Sequence, residues 1–202
     1  MDVLEAIRTT RAMRRLDPDR PVSDEDLKVM IDAANRAPVG GGNERAFYVV
    51  VRDPDLKQRL GDIYRRACGP ALAGYEKEAK TNERTAKMLR SAWHLADHMG
   101  EAPALILVTA RGNRGFVEAS VFPAVQNLLL AARALGLGTT LTTIHRVHED
   151  EVKQLLGVPE DYLTFALIPV GYPLGRWGEA KRRSAEEAAY WDRWGEPPPQ
   201  TG

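Results

Sequence analysis

Cysteine is nearly missing from this chain. Cys68 is the only one in 202 residues, so no disulfide can form within it. A lone thiol of this kind reads first as an inert core residue and not as a nucleophile. Net charge is missing too, because 28 Lys and Arg balance 28 Asp and Glu. That excludes a nucleic-acid binder working through bulk charge, but leaves room for a local basic pocket. No apolar run has the length of a membrane span. The opening stretch MDVLEAIRTT is acidic and amphipathic, unlike a secretory signal, so a cytoplasmic location is expected. Histidine is scarce: His94 and His98 stand at i,i+4 and His145 and His148 at i,i+3, with no further Cys or His cluster, so no metal site is expected. There is no G-x-S-x-G elbow and no Walker loop. The glycines at 40–42 are consecutive and lead into a strand pattern, which rules out a dinucleotide fingerprint.

What remains is an ordinary globular mix, 44% hydrophobic and 28% charged. The length suits one sizeable domain. No internal repeat or composition break divides it, so residues 1–194 are expected to form one domain and 195–202 a flexible tail. Strand patterns fall at AFYVVV (46–51), PALILVTA (103–110), TTLTTI (139–144) and YLTFALIPVGYP (162–173). Helical patterns alternate with them. A short opening helix puts Val3, Leu4 and Ile7 on one face. A second follows Ser23 as cap, and a third begins with Pro54 in its first turn. Residues 116–135 read as a core helix stopped by Gly136 and Gly138, residues 148–158 as a helix ending at Gly157, and residues 184–194 as a short last helix. The charged segment 70–100 reads as one or two projecting helices, a candidate lid carrying Tyr75, Trp93 and His94. Strands interleaved with helices imply an α/β or α+β layered domain.

Four stretches could carry chemistry. RTTRAMRR (8–15) places Arg8, Arg11 and Arg15 on one face if it is helical, with Arg14 to the side. Guanidiniums pair bidentately with phosphate and stay charged. APVGGGN (37–43) can bring backbone close to a planar ligand. GLGTTLTTI (136–144) offers four threonines, which could bond a polar ring edge or simply reflect strand propensity. Lys181, Arg182 and Arg183 precede a helix start at Ser184, where a phosphate could sit.

In this order, the segments resemble the nitroreductase family of flavoproteins over about residues 3–194. TRAMRRL matches in part the family's R-R-S-x-R-x-F. AANRAPVGGGNERAFYVVVRD matches its A-P-S-G-x-N loop and strand. AVQNLLLAARALGLGTTLTT follows the A-x-Q-N-L-x-L-A-A-x-x-L-G-L-G helix closely, and the ending carries G-Y-P, R-R-x-x-E-E and W-D-R-W. The resemblance implies an α+β, three-layer sandwich with a mostly antiparallel central sheet flanked by helices. It further implies an intertwined homodimer with FMN at the subunit interface, and NADH or NADPH as reductant.

Carried over by position, the expected cofactor residues are Arg11, Ala12 and Arg14, then Pro38, Val39, Gly40 and Gly42, then Leu141, Thr142 and Thr143, and finally Arg182 with Arg183 as its alternative. The chain departs from the family pattern at Thr10 and Ala12, which replace Arg and Ser. It departs again at Val39, Gly42, Glu44 and Ala46, which replace Ser, Asn, Gln and Trp. The implied activity is transfer of hydride or electrons from NAD(P)H through flavin N5 to a small aromatic, quinone or nitro acceptor. Reductive dehalogenation, flavin fragmentation, or flavin binding without turnover stand as alternatives. No acid–base residue is assigned, since the flavin carries the chemistry.

Overall fold

The structure, a computed structural model, describes residues 1–42 and 46–199. Glu44, one of the departures from the family pattern, lies outside the described residues, as do the last three residues of the expected tail.

Four strands form one antiparallel sheet in the order β1-β2-β4-β3: β1 (Ala46–Val51), β2 (Ala104–Arg111), β3 (Gly138–Thr139) and β4 (Tyr162–Gly171). Alternation along β2 explains the layers. Ile106 and Val108 join a core with α2 (Asp24–Ala34) and α6 (Arg114–Ala134) on one face of the sheet. Leu105 and Leu107 join a second core with α3 (Pro54–Leu72) and α5 (Glu83–His98) on the other. The expected α+β three-layer sandwich is therefore present. A bulge interrupts the β2–β4 register after Val108, which pairs with Ala166, whereas Thr109 pairs with Thr164. Phe165 is the extra residue, and Phe165 and Ala166 both enter the α2/α6 core.

Local chemistry sets the helix ends. The Ser23 hydroxyl accepts from the Asp26 N–H at 3.0 Å and starts α2. Asp53 caps α3 ahead of Pro54. Gly136, at φ +78°, closes α6: its own N–H bonds Arg133 O while the Leu137 N–H bonds Ala132 O. By length and hydropathy α6 alone, among the described helices, could cross a membrane. Here it packs between α2 and the sheet, which accounts for apolar residues on more than one side.

Several expectations are corrected. The opening helix, α1 (Val3–Thr9), ends within the basic cluster: Arg8 sits in its last turn, and residues 10–16 run extended. Arg8, Arg11 and Arg15 therefore do not share a helix face. Val3, Leu4 and Ile7 remain half-exposed while Ala6 is buried. The threonine segment is not a six-residue strand. Only Gly138–Thr139 pairs with β4 continuously, and Ile144–His148 is a 3₁₀ turn leading into α7 (Glu149–Leu156). The segment 70–100 holds the end of α3, the short α4 (Glu76–Ala79) and α5. The last helix, α8, is only Ala185–Ala188, and the chain beyond it turns through positive φ at Asp192 and Gly195.

Candidate functional site

The basic segment is laid against the sheet edge. Ala12 bridges Thr139 in parallel, the Met13 N–H bonds Thr139 O at 2.9 Å, and the Thr140 hydroxyl donates to Met13 O at 2.7 Å. Two glycines allow this close approach. A Cβ at Gly138 would meet Met13 Cβ at 2.8 Å and Leu16 Cδ2 at 3.0 Å, and one at Gly171 would meet Leu16 Cβ at 3.2 Å. The structure thus holds residues 12 and 13, between Arg11 and Arg14, against Thr139 and Thr140, just ahead of Leu141–Thr143 in the chain. Arg11 and Ala12 are exposed and Arg14 is half-buried. None of the guanidiniums of Arg11, Arg14 or Arg15 forms an ion pair or side-chain hydrogen bond among the described residues.

The threonines are mostly committed inward. Thr142 bridges Leu167: its hydroxyl donates to Leu167 O at 2.6 Å and its carbonyl accepts from the Leu167 N–H at 3.0 Å. The buried Tyr64 side chain on α3 lies close to Thr142 and Cys68 and feels the Arg14 charge. Burial, then the neighbouring thiol, pushes the Tyr64 phenol well above its ordinary range. Cys68 is fully buried, and burial pushes its thiol up to about 11, so it is no nucleophile at neutral pH. What the segment Leu141–Thr143 can present to a ligand is therefore mainly backbone, the half-exposed Leu141 and the part-buried Thr143.

The other expected residues lie elsewhere in the chain. The glycine loop sits on α6: the Gly40 N–H donates to Ser120 Oγ at 3.0 Å, and Gly41 takes φ +75°. Pro38 is exposed, and Val39 lines a small hollow with Tyr48 and Ser120. Arg182 and Arg183 are exposed and border an open hollow with Lys181 and Arg84 of α5, a cation that sequence reasoning missed. The helix start at Ser184 is not available as an anion site. Its capping box is closed by Glu187, whose carboxylate accepts from the Ser184 N–H and whose own N–H bonds Ser184 Oγ. Within one chain, the cavity that Arg14 lines includes neither the glycine loop nor Arg182.

A buried polar cluster anchors the 3₁₀ turn that follows Thr143. Arg114 grips Glu149 at 2.7 and 3.0 Å and donates to Thr164 O at 2.8 Å. The Thr164 N–H and hydroxyl both donate to Glu149. His145, fully buried, places Nε2 3.1 Å from Thr164 Oγ1, while its Nδ1 has no partner among the described residues. Burial holds the His145 pKa down at about 4, against the pull of Glu149. Burial disfavours the Glu149 carboxylate, but bonds from Thr164 and Arg114 outweigh it and keep the pKa below the ordinary value. Sequence offered only the i,i+4 spacing of His145 and Glu149 as a signal. Among the described residues no group of three His, Cys, Asp or Glu could hold a metal.

The model of the Nitroreductase family matches residues 7–172, and the chain belongs to that family. A protein of Methanothermobacter thermautotrophicus, provisionally named NADH dehydrogenase/NAD(P)H nitroreductase, is 28% identical over 179 residues, covering 86% of this chain and 78% of that protein. The iodotyrosine deiodinase of Thermotoga neapolitana is 30% identical over 164 residues, covering 81% of this chain and 84% of the relative. A solved structure from Desulfovibrio desulfuricans, provisionally named a nitroreductase and in complex with FMN, superposes with a TM-score of 0.66 at 26% identity over 96% of this chain and 98% of that one.

Proposed function

We propose that the chain is an FMN-dependent oxidoreductase that draws on NADH or NADPH and delivers hydride or electrons to a small aromatic, quinone or nitro acceptor. The observation that carries this reading is the basic run Arg11–Arg14, whose guanidiniums have no ion-pair partner among the described residues, held against Thr139 and Thr140 at one sheet edge. Such an edge fits a flavin nucleotide, with guanidiniums for the anionic and polar groups and fixed backbone for the ring. Bound FMN supplies the redox chemistry at ring atom N5. Arg11 and Arg14 hold its phosphate and pyrimidine edge, Leu141–Thr143 flank the ring, and Arg182, or Arg183 in its place, neutralises the phosphate. A positive charge near N1 favours a reduced, anionic ring. The loop Pro38–Gly42 lies apart from Arg14 in one chain, so a second copy supplies it across a homodimer. The segment 70–100 covers the acceptor side.

Reductive dehalogenation of an aromatic is the second reading, favoured by the iodotyrosine deiodinase relatives. Steady-state oxidation of NADH and NADPH with a quinone, a nitroaromatic and an iodophenol as acceptors separates the readings. Turnover with quinone or nitroaromatic is the expected result. Turnover with the iodophenol alone would select the second reading. Flavin retention without turnover on any acceptor would make this a binding protein.

A further inference from the structure

A cavity of about 260 Å³ lies between the extended segment Arg14–Pro18, the C-terminal half of α5 and β4. Its floor is apolar, made by Leu95, Ala102 and Pro169. Its rim is basic: Arg14 and Arg15 from one side, His94 and His98 from the other, with the two imidazole rings 4.4 Å apart. The one acidic lining residue, Glu101, is already bonded to His98 Nδ1 at 2.9 Å. Arg14 and Arg15 have no acidic partner among the described residues, so their charge is directed at the cavity and solvent. The His94 ring shows the same field. Burial first, then the charges of His98 and Arg15, hold its pKa below the ordinary value.

We infer that this cavity selects acceptors that join a flat apolar body to a carboxylate, with Arg15 as the residue that recognises the carboxylate. A guanidinium without a competing acid forms a charge-assisted, bidentate pair with a carboxylate. The apolar floor takes the ring, and the volume suits a single substituted benzene and not a dinucleotide. Arg14 borders this cavity and is also the residue proposed to hold the flavin, so it links the occupant to the bound flavin. The inference therefore rests on the flavin reading, and it names the class of acceptor for that site. It also gives α5 a task, since His94 and His98 close the cavity from the segment 70–100.

The test uses two acceptors with the same reducible group, 4-nitrobenzoate and 4-nitrobenzyl alcohol. The intact protein is expected to favour the benzoate in kcat/KM. In Arg15→Ala the ratio of the two kcat/KM values falls about tenfold, mainly through KM of the benzoate, and Arg15→Lys recovers part of it. Arg15 is exposed, so neither variant threatens folding. An unchanged ratio in Arg15→Ala, or no preference in the intact protein, overturns the inference while leaving the flavin reading standing. A second readout does not need flavin: calorimetric titration of the purified protein with benzoate. If the protein holds no FMN yet binds benzoate, and Arg15→Ala abolishes that binding, the anion site stands and the flavin reading falls.

Discussion

Arg182 is exposed, and among the described residues its guanidinium donates only to the adjacent Lys181 carbonyl, with no acid there to give up before taking a phosphate. Arg182→Ala is expected to weaken FMN binding at least tenfold, since a charge-assisted pair contributes about 1.5–3 kcal/mol. Fluorescence titration with FMN reads this directly, and equal affinity in both proteins would remove Arg182 from the site. His145 governs acid stability. With its folded pKa near 4, the unfolded chain takes the proton first as pH falls. Its contribution is complete above about pH 6.5 and is lost on the way down to about pH 4. Glu149, also held below its ordinary value, adds a loss in the same direction at lower pH. Denaturant midpoints for the intact protein should fall between pH 7 and pH 5. His145→Gln, less stable at pH 7, should show a flatter dependence over that interval, and parallel curves would contradict the assignment.

At the scale of elements, close backbone approach decides where the basic residues stand. The segment 10–16 can lie on the sheet edge because Gly138 and Gly171 present no side chain. Gly138→Ala is expected to cost about 1–3 kcal/mol, as overpacking does, and to lower FMN retention with it. Thermal midpoints of the two proteins check the first part, and an unshifted midpoint would mean that the segment moves aside freely. Sequence reasoning saw Gly138 only as a helix stop, because periodicity cannot reveal what packs across from a glycine. The same limit hid Gly61 and Gly100, where α3 meets the turn after α5 so closely that a Cβ on Gly61 would lie 2.8 Å from Gly100 N. Strongly patterned elements were legible. AFYVVV coincides with β1, Ser23 caps α2, and Gly136 and Gly157 close their helices at positive φ. Threonine-rich 139–144 misled because its β-branched residues serve single backbone bonds to Met13 and Leu167 instead of a continuous ladder. The basic cluster misled in geometry but not in character. Its chain is extended, and Ala12 and Met13 within it pair with Thr139 and Thr140.

For the whole molecule, the expected site is divided. The segment holding Arg11 and Arg14 pairs with Thr139 at one sheet edge, while the Pro38–Gly42 loop is tied to α6 through the Gly40–Ser120 bond. Large apolar side chains also stay exposed at both ends of the chain: Val3, Leu4 and Ile7 on α1, and Tyr190, Trp191 and Trp194 after α8. A second copy would cover such surface and bring its own loop to the flavin. Sedimentation equilibrium is expected to give twice the chain mass of 22.4 kDa. A monomer at micromolar concentration would leave the loop residues outside the cofactor site. At Val39 and Gly42 that loop has no polar side chain. We propose that these residues together hold FMN. Its most direct test is the visible absorption spectrum of the purified protein, taken before and after adding FMN and desalting. Flavin bands that persist through desalting, and that denaturation releases as FMN, are the predicted result. A colourless protein that cannot retain added FMN would contradict the account.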